Sequence, residues 1–247
     1  MHPRSSMALC YEGYMGQSSF AMTPGNVASI ERTLTVTRLS SYAPPMIRPR
    51  NSESNSAAAI RLYQWNAEIA GALWPVMHVF EVAVRNAISE VITEVHGPTW
   101  THESSFHNKL PNPNGRNIYN PRRDIIHQSR KHQHAGKVIP ELKMIFWERM
   151  LTSRHDNDFW GLHLRTGFPN APAVAFQATR GQLREKFESV RRIRNRLGHH
   201  ESVSDPQRFS LTEVFENMMT VLAWRDEAIA DWVYSFETVQ QTLQKRP

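Results

Sequence analysis

Cysteine is almost absent: Cys10 is the single one in 247 residues. An intrachain disulfide is therefore excluded, and a reducing, cytoplasmic setting is the default expectation. Long apolar runs are missing too. No uninterrupted apolar run reaches the roughly 18 residues that would flag a membrane span, and the N-terminus lacks a basic flank leading into an apolar core. Neither a membrane span nor a signal peptide is expected. Alternating apolar and polar stretches of useful length are also lacking, which removes strands and leaves an all-α reading. His127, His132 and His134 have no carboxylate or cysteine at ligand spacing. They read as part of a solvated basic helix and loop rather than a metal site, and no cofactor is expected.

What the chain has is positive charge. Its formal net charge is +6 and its pI is about 9.7, a balance suited to a polyanionic partner, either nucleic acid or an anionic surface. Residues 1–28 are rich in Ser, Gly and Met without period and read as a disordered tail, with Met7, Met15 and Met22 as alternative starts. The remainder, 29–247, reads as a single helical domain. Val27 to Leu39 has the spacing of a short helix, and the prolines between Tyr42 and Pro49 break regular structure.

Ser56 has the chemistry of an N-cap for a helix whose buried stripe is Leu62, Trp65, Ile69, Ala72, Leu73 and Val76. Pro75 should kink or divide it. A following helix over 76–96 would bury Phe80, Ala83, Val84, Ala87, Val91 and Val95, with Glu81 and Arg85 as an i,i+4 ion pair. Trp100 to Pro121 reads as a loop. Residues 116–154 carry nine Lys or Arg, a second basic region that includes Arg130 and Lys131 and ends in a helix over 137–152. Asp156 or Asn157 is placed to cap a short turn, and Ser204-Asp205-Pro206 to restart a helix. Leu211, Phe215, Met218 and Leu222 form one buried face. Ile229, Trp232, Val233 and Phe236 form another, beyond a break near Arg225-Asp226.

The densest charge lies in Val190 to Ser202. Leu183, Phe187, Val190, Ile193 and Leu197 recur at helical steps, and Arg194 falls on or beside that stripe. A guanidinium stays charged and is costly to bury alone, so an anionic group should meet it there. Asn195 and His199 are four apart, and a helix end at Gly198 would let His199 and His200 turn toward Arg194. On spacing alone, however, arginines on a helix make a solvated face, and Gly-His-His makes an ordinary C-terminal cap.

Four blocks in order carry a resemblance. They are Leu62 to Asn66 (Leu-Tyr-Gln-Trp-Asn), Phe80 to Ile88 (Phe-Glu-Val-Ala-Val-Arg-Asn-Ala-Ile), Gly136 to Leu142 with Phe146-Trp147, and Arg194 to Glu201 (Arg-Asn-Arg-Leu-Gly-His-His-Glu). Together they resemble the Abi-like, abortive-infection proteins of the HEPN superfamily, from about residue 34 to the C-terminus. The resemblance implies a HEPN-like bundle of about six to eight helices. It also implies a toxin-like endoribonuclease of phage defence that uses an Arg-x4–6-His motif without a metal. Position by position, Arg194 matches the motif arginine, Asn195 its polar companion and His199 the motif histidine, while His200, Glu201, Glu81 and Arg85 match supporting positions. Residues 1–33 lie outside the pattern and Pro140 replaces a usual small residue. Glu201 stands where nucleotidyltransferase-regulated members carry tyrosine.

The residue chemistry agrees with that implication. RNA carries its own nucleophile, the 2′-OH, so cleavage needs a base, an acid and charge stabilisation. Histidine titrates near neutrality, and arginine presents paired donors to a phosphate. Arg191, Arg192, Arg196, Arg130 and Lys131 are the expected RNA-backbone contacts. One chain has one motif, so a homodimer with a composite site is expected, and the toxin-like reading adds an antitoxin as a further partner. The contrasting expectations are a non-catalytic helical module that binds RNA or a nucleotide, and a purely structural dimerisation protein.

Overall fold

The computed structural model describes residues 20–247. Cys10, Met7, Met15 and the tail expectation for residues 1–19 lie outside them. The described residues contain helices and no strand, in twelve α-helical segments where six to eight were expected. The surplus comes from pieces of one or two turns. The chain divides into two compact units, Met1–Tyr63 and Gln64–Pro247, where the sequence pattern suggested one domain over 29–247.

In the first unit, α1 (Pro24–Leu34) starts inside the stretch expected to be tail. Thr23 caps it by accepting the Asn26 N–H, and Pro24 fills the first position, where no N–H is needed. After α2 (Val36–Leu39) the chain reaches α3 (Asn55–His96). The first turns of α3 lay Ala57 and Ile60 against Val27 and Leu39 in one apolar cluster, which is why the division falls inside a helix. Ser54 Oγ accepts the Ala57 N–H at its start. The expected cap, Ser56, donates to Glu31 instead.

In the second unit α3 continues without interruption through Pro75 to His96, one helix where two were expected. Leu73, Val76, Phe80, Val84, Ala87 and Val91 are buried along it, whereas Val95, expected in the core, is exposed. By length and composition α3 alone among the described residues could cross a membrane, a test that the core helix of a soluble protein also passes. The expected loop 100–121 holds a short helix, α4 (Ser104–Lys109). Asn120 and Pro121 then open α5 (Pro121–Lys131).

The single helix expected over 137–152 is two, α6 (Ala135–Glu141) and α7 (Met144–Met150), parted by the extended backbone of Leu142 and Lys143, two and three residues after Pro140. A π-turn at Asp156–Trp160 leads into α8 (Gly161–Gly167). The long α9 (Phe176–Gly198) buries the whole predicted stripe. Ser204-Asp205-Pro206 forms a turn and no helix, because Asp205 spends its side chain on the Gln207 N–H. Ser210 caps α10 (Leu211–Arg225) instead. Asp226 separates α10 from α11 (Glu227–Tyr234), and α12 (Val239–Gln244) closes the chain. Trp232 and Phe236, expected in the core, are 55% and 38% exposed and pack on each other. Only Ala230 and Val233 of α11 are buried.

Phe80 meets Phe187 with ring centroids 5.7 Å apart, and Trp74 meets Arg194. Lower numbers on α3 thus pair with higher ones on α9, and the two helices run antiparallel. This pairing positions the site.

Candidate functional site

The end of α9 is locked by backbone geometry. The N–H of His200 donates to the carbonyl of Leu197 at 3.0 Å, and that of Glu201 to the carbonyl of Arg196 at 2.8 Å. This is the paired closure of a Schellman motif, with His200 in the left-handed position at φ +55°. Glycine usually takes that place. Here Gly198 is the last helical residue, and a histidine carries the strained conformation two residues later.

Arg196 then staples the turn. Its Nε and Nη2 donate to the carbonyl of Ser202 at 3.1 and 3.0 Å, its Nη1 lies 3.0 Å from Glu201, and it covers the ring of Phe209. From α3, Asn66 accepts the Val203 N–H at 2.9 Å. The loop carrying the histidines is thereby pinned at both sides, while the rings of His199 and His200 remain exposed. Arg194 instead faces Glu81 and Trp74.

Arg194 is held differently. Its side chain is 38% exposed, and its Nε sits 3.8 Å from Glu81 Oε2, beyond hydrogen-bond reach. That Nε is buried without any hydrogen-bond partner. On its other side the guanidinium carbon lies 6.0 Å from the ring of Trp74. Glu81, expected to pair with Arg85 on its own helix, pairs across to α9, because antiparallel packing brings Arg194 over it. Arg85 Nε is left buried and unpartnered. The expected anionic neighbour of Arg194 is therefore Glu81, held loosely.

Arg194 and Asn195 open onto a cleft of about 370 Å³, lined also by Glu81, Lys143, Met144 and Arg191. Arg191 is committed elsewhere: its Nε bonds the carboxylate of Glu148, which is 4% exposed. Removing either partner would strand a charge. Among the expected RNA contacts, Arg191 and Arg196 thus face protein groups. Arg192 is exposed beside Glu188, and Arg130 and Lys131 are exposed at the end of α5. The structure brings Arg194, Asn195 and Glu81 together and leaves His199 and His200 outside the cleft lining.

Three α3 residues escaped the sequence reading of the site. Asn66 fixes the histidine loop, and Trp74 flanks Arg194. His78 lies one turn from both Trp74 and Glu81 and is exposed, so helix periodicity puts it on the face that Arg194 meets. The Trp74, His78, Glu81 spacing was the available signal.

A second polar cluster lies apart from this cleft. Asp158 accepts from His96 at 3.1 Å and from Lys109. Burial raises its pKa, but those two hydrogen bonds outweigh burial and hold the carboxyl below its ordinary range. His155 is buried and stacked on Phe159. Among the described residues no group of three or more His, Cys, Asp and Glu is arranged to hold a metal ion. No family model, no curated protein and no solved structure matches the chain.

Proposed function

We propose that the chain is a metal-independent endoribonuclease of HEPN type, a toxin-like effector of phage defence. The observation that carries the chemistry is Arg194: a charged side chain at a cleft mouth, 38% exposed and 3.8 Å from its carboxylate Glu81, beside Asn195 and Lys143. A phosphate oxygen at the cleft mouth would accept from the exposed part of the guanidinium, and negative charge building on the phosphorane oxygens would strengthen the contact. The resemblance of the Arg194 to Glu201 block to Abi-like proteins points the same way.

In this reading an imidazole takes the proton of the RNA 2′-OH as its oxygen attacks phosphorus. A second imidazole gives a proton to the departing 5′-oxygen. The products are a 2′,3′-cyclic phosphate and a 5′-OH. His199 supplies one imidazole, and a second copy of the chain supplies the other in a composite site.

One observation favours the second reading, a non-catalytic RNA- or nucleotide-binding module. The His199 ring is exposed with no hydrogen bond to orient it. The two readings separate in one experiment: purified protein is incubated with total RNA and EDTA, and the cut ends are mapped. Cleavage leaving cyclic phosphate ends, lost in His199→Ala while RNA binding persists, supports the nuclease. Mixing Arg194→Ala with His199→Ala chains should restore part of the cleavage if the site is shared. Salt-dependent binding without cleavage of any RNA supports the module.

A further inference from the structure

We propose that Trp74 is a stacking platform for one nucleobase of single-stranded RNA, set beside the phosphate that Arg194 holds. This rests on the RNA reading of Arg194. Trp74 is 39% exposed, although Leu73 and Val76 on either side of it along α3 are fully buried. The core of the second unit is already filled by Trp65, Trp100, Trp147 and Trp160, so packing gives no reason for an indole at this edge.

The neighbours of Trp74 suit a flat aromatic ligand with a charged tail. One turn earlier stands Gly71, with nothing within 4 Å of where a Cβ would point. The rigid ring of Pro75 follows it, also exposed. The Arg194 guanidinium carbon is 6.0 Å from the indole centroid. A phosphate on the guanidinium and a base on the indole then lie within the span of one nucleotide. Lys143 and Asn195 complete a polar wall for the backbone. Single-stranded RNA is recognised in this way, by splayed bases on aromatic faces with arginine contributing to the stack. A protein partner could also cover an exposed indole. The charge beside it argues for a polyanion: Arg194 flanks the indole, its Nε 3.8 Å from Glu81 and its side chain 38% exposed, and Lys143 lines the same cleft as Arg194.

The test compares wild type, Trp74→Ala and Trp74→Phe by fluorescence anisotropy with a labelled single-stranded RNA. The second probe is an oligonucleotide of equal length made entirely of abasic sugar-phosphate. Trp74→Ala should weaken RNA binding about tenfold or more, the usual scale for losing one base stack. Trp74→Phe should keep most of the affinity, and the abasic strand should bind wild type and Trp74→Ala alike. Equal RNA affinity in wild type and Trp74→Ala overturns the platform and leaves the RNA reading standing. An equal loss on the abasic strand also overturns it, because the bases then contribute nothing. A smaller oligomer for Trp74→Ala in light scattering overturns it as well, assigning the indole to a subunit contact. If wild type binds neither strand at low salt, both the platform and the RNA reading fall.

Discussion

His200 shows how a single residue reports on the site. A left-handed conformation at φ +55° costs a non-glycine residue about 1 kcal/mol or more, and the hydrogen bonds of the helix end hold it there. Its ring is exposed, so little packing offsets the strain. His200→Gly should therefore stabilise the fold by about 1 kcal/mol, read as a higher urea midpoint at unchanged slope. If stability drops instead, the imidazole is making a contact that outweighs the strain. The same turn explains why Arg196 belongs to the scaffold: it bonds the Ser202 carbonyl and Glu201 and covers Phe209. Its guanidinium holds the loop where it was expected to hold RNA. From a linear reading Arg191, Arg194 and Arg196 look alike. They differ in what lies across from them: buried Glu148, a loosely held Glu81, and the chain's own loop.

At the scale of elements, α9 was legible because its apolar positions repeat without interruption, and all five predicted stripe residues are buried. The break at Asp226 was legible as well, since its side chain caps α11 through the Ala228 N–H. Leu142 and Lys143 were not legible as a break, because residues 137–152 keep a helical apolar rhythm while Pro140 weakens the turn before it. Trp232 and Phe236 were assigned to the core because periodicity identifies an apolar face without showing what covers it. The arginine of the site could be named from spacing, and Glu81 only from the block that resembles Abi-like proteins. Their pairing could not, because it depends on which turn of α3 lies opposite which turn of α9. Pro75 bears on that register. It donates no N–H to the Gly71 carbonyl, and its ring crowds that carbonyl, a cost of about 3 kcal/mol in an unadapted helix. α3 tolerates it, and proline also restricts the unfolded chain by up to about 1 kcal/mol. Pro75→Ala should thus raise stability by about 1–2 kcal/mol, measured by thermal unfolding. An unchanged or lower midpoint would mean that α3 needs the proline to keep its fit.

The whole molecule divides its charge. From Leu211 to Glu237 there are six acidic residues against Arg225 alone. From Phe176 to Gly198 seven Lys and Arg outnumber two Glu. Under the proposed RNA reading a polyanion would be drawn to the α9 side and repelled by α10 and α11, so affinity should fall steeply with salt. Protons act on the fold elsewhere, through His155. It is 1% exposed, and burial pushes its pKa down to about 4. Asp158 and Asp156 pull upward, while Arg154 and His96 push further down. In the unfolded chain the same imidazole titrates near 6.5. Between those two values the unfolded state binds a proton that the folded state refuses, so stability falls as pH drops through this window and levels off below about 4. The full drop is on the order of 3 kcal/mol. Asp158 titrates below its ordinary value, so its own contribution is lost beneath this window. Urea unfolding at a series of pH values from 7 to 4 should show the decline. His155→Phe keeps a flat ring against Phe159 and carries no titrating proton, so it should flatten that decline whatever its effect at pH 7. An equally steep profile in His155→Phe would move the acid sensitivity to another group.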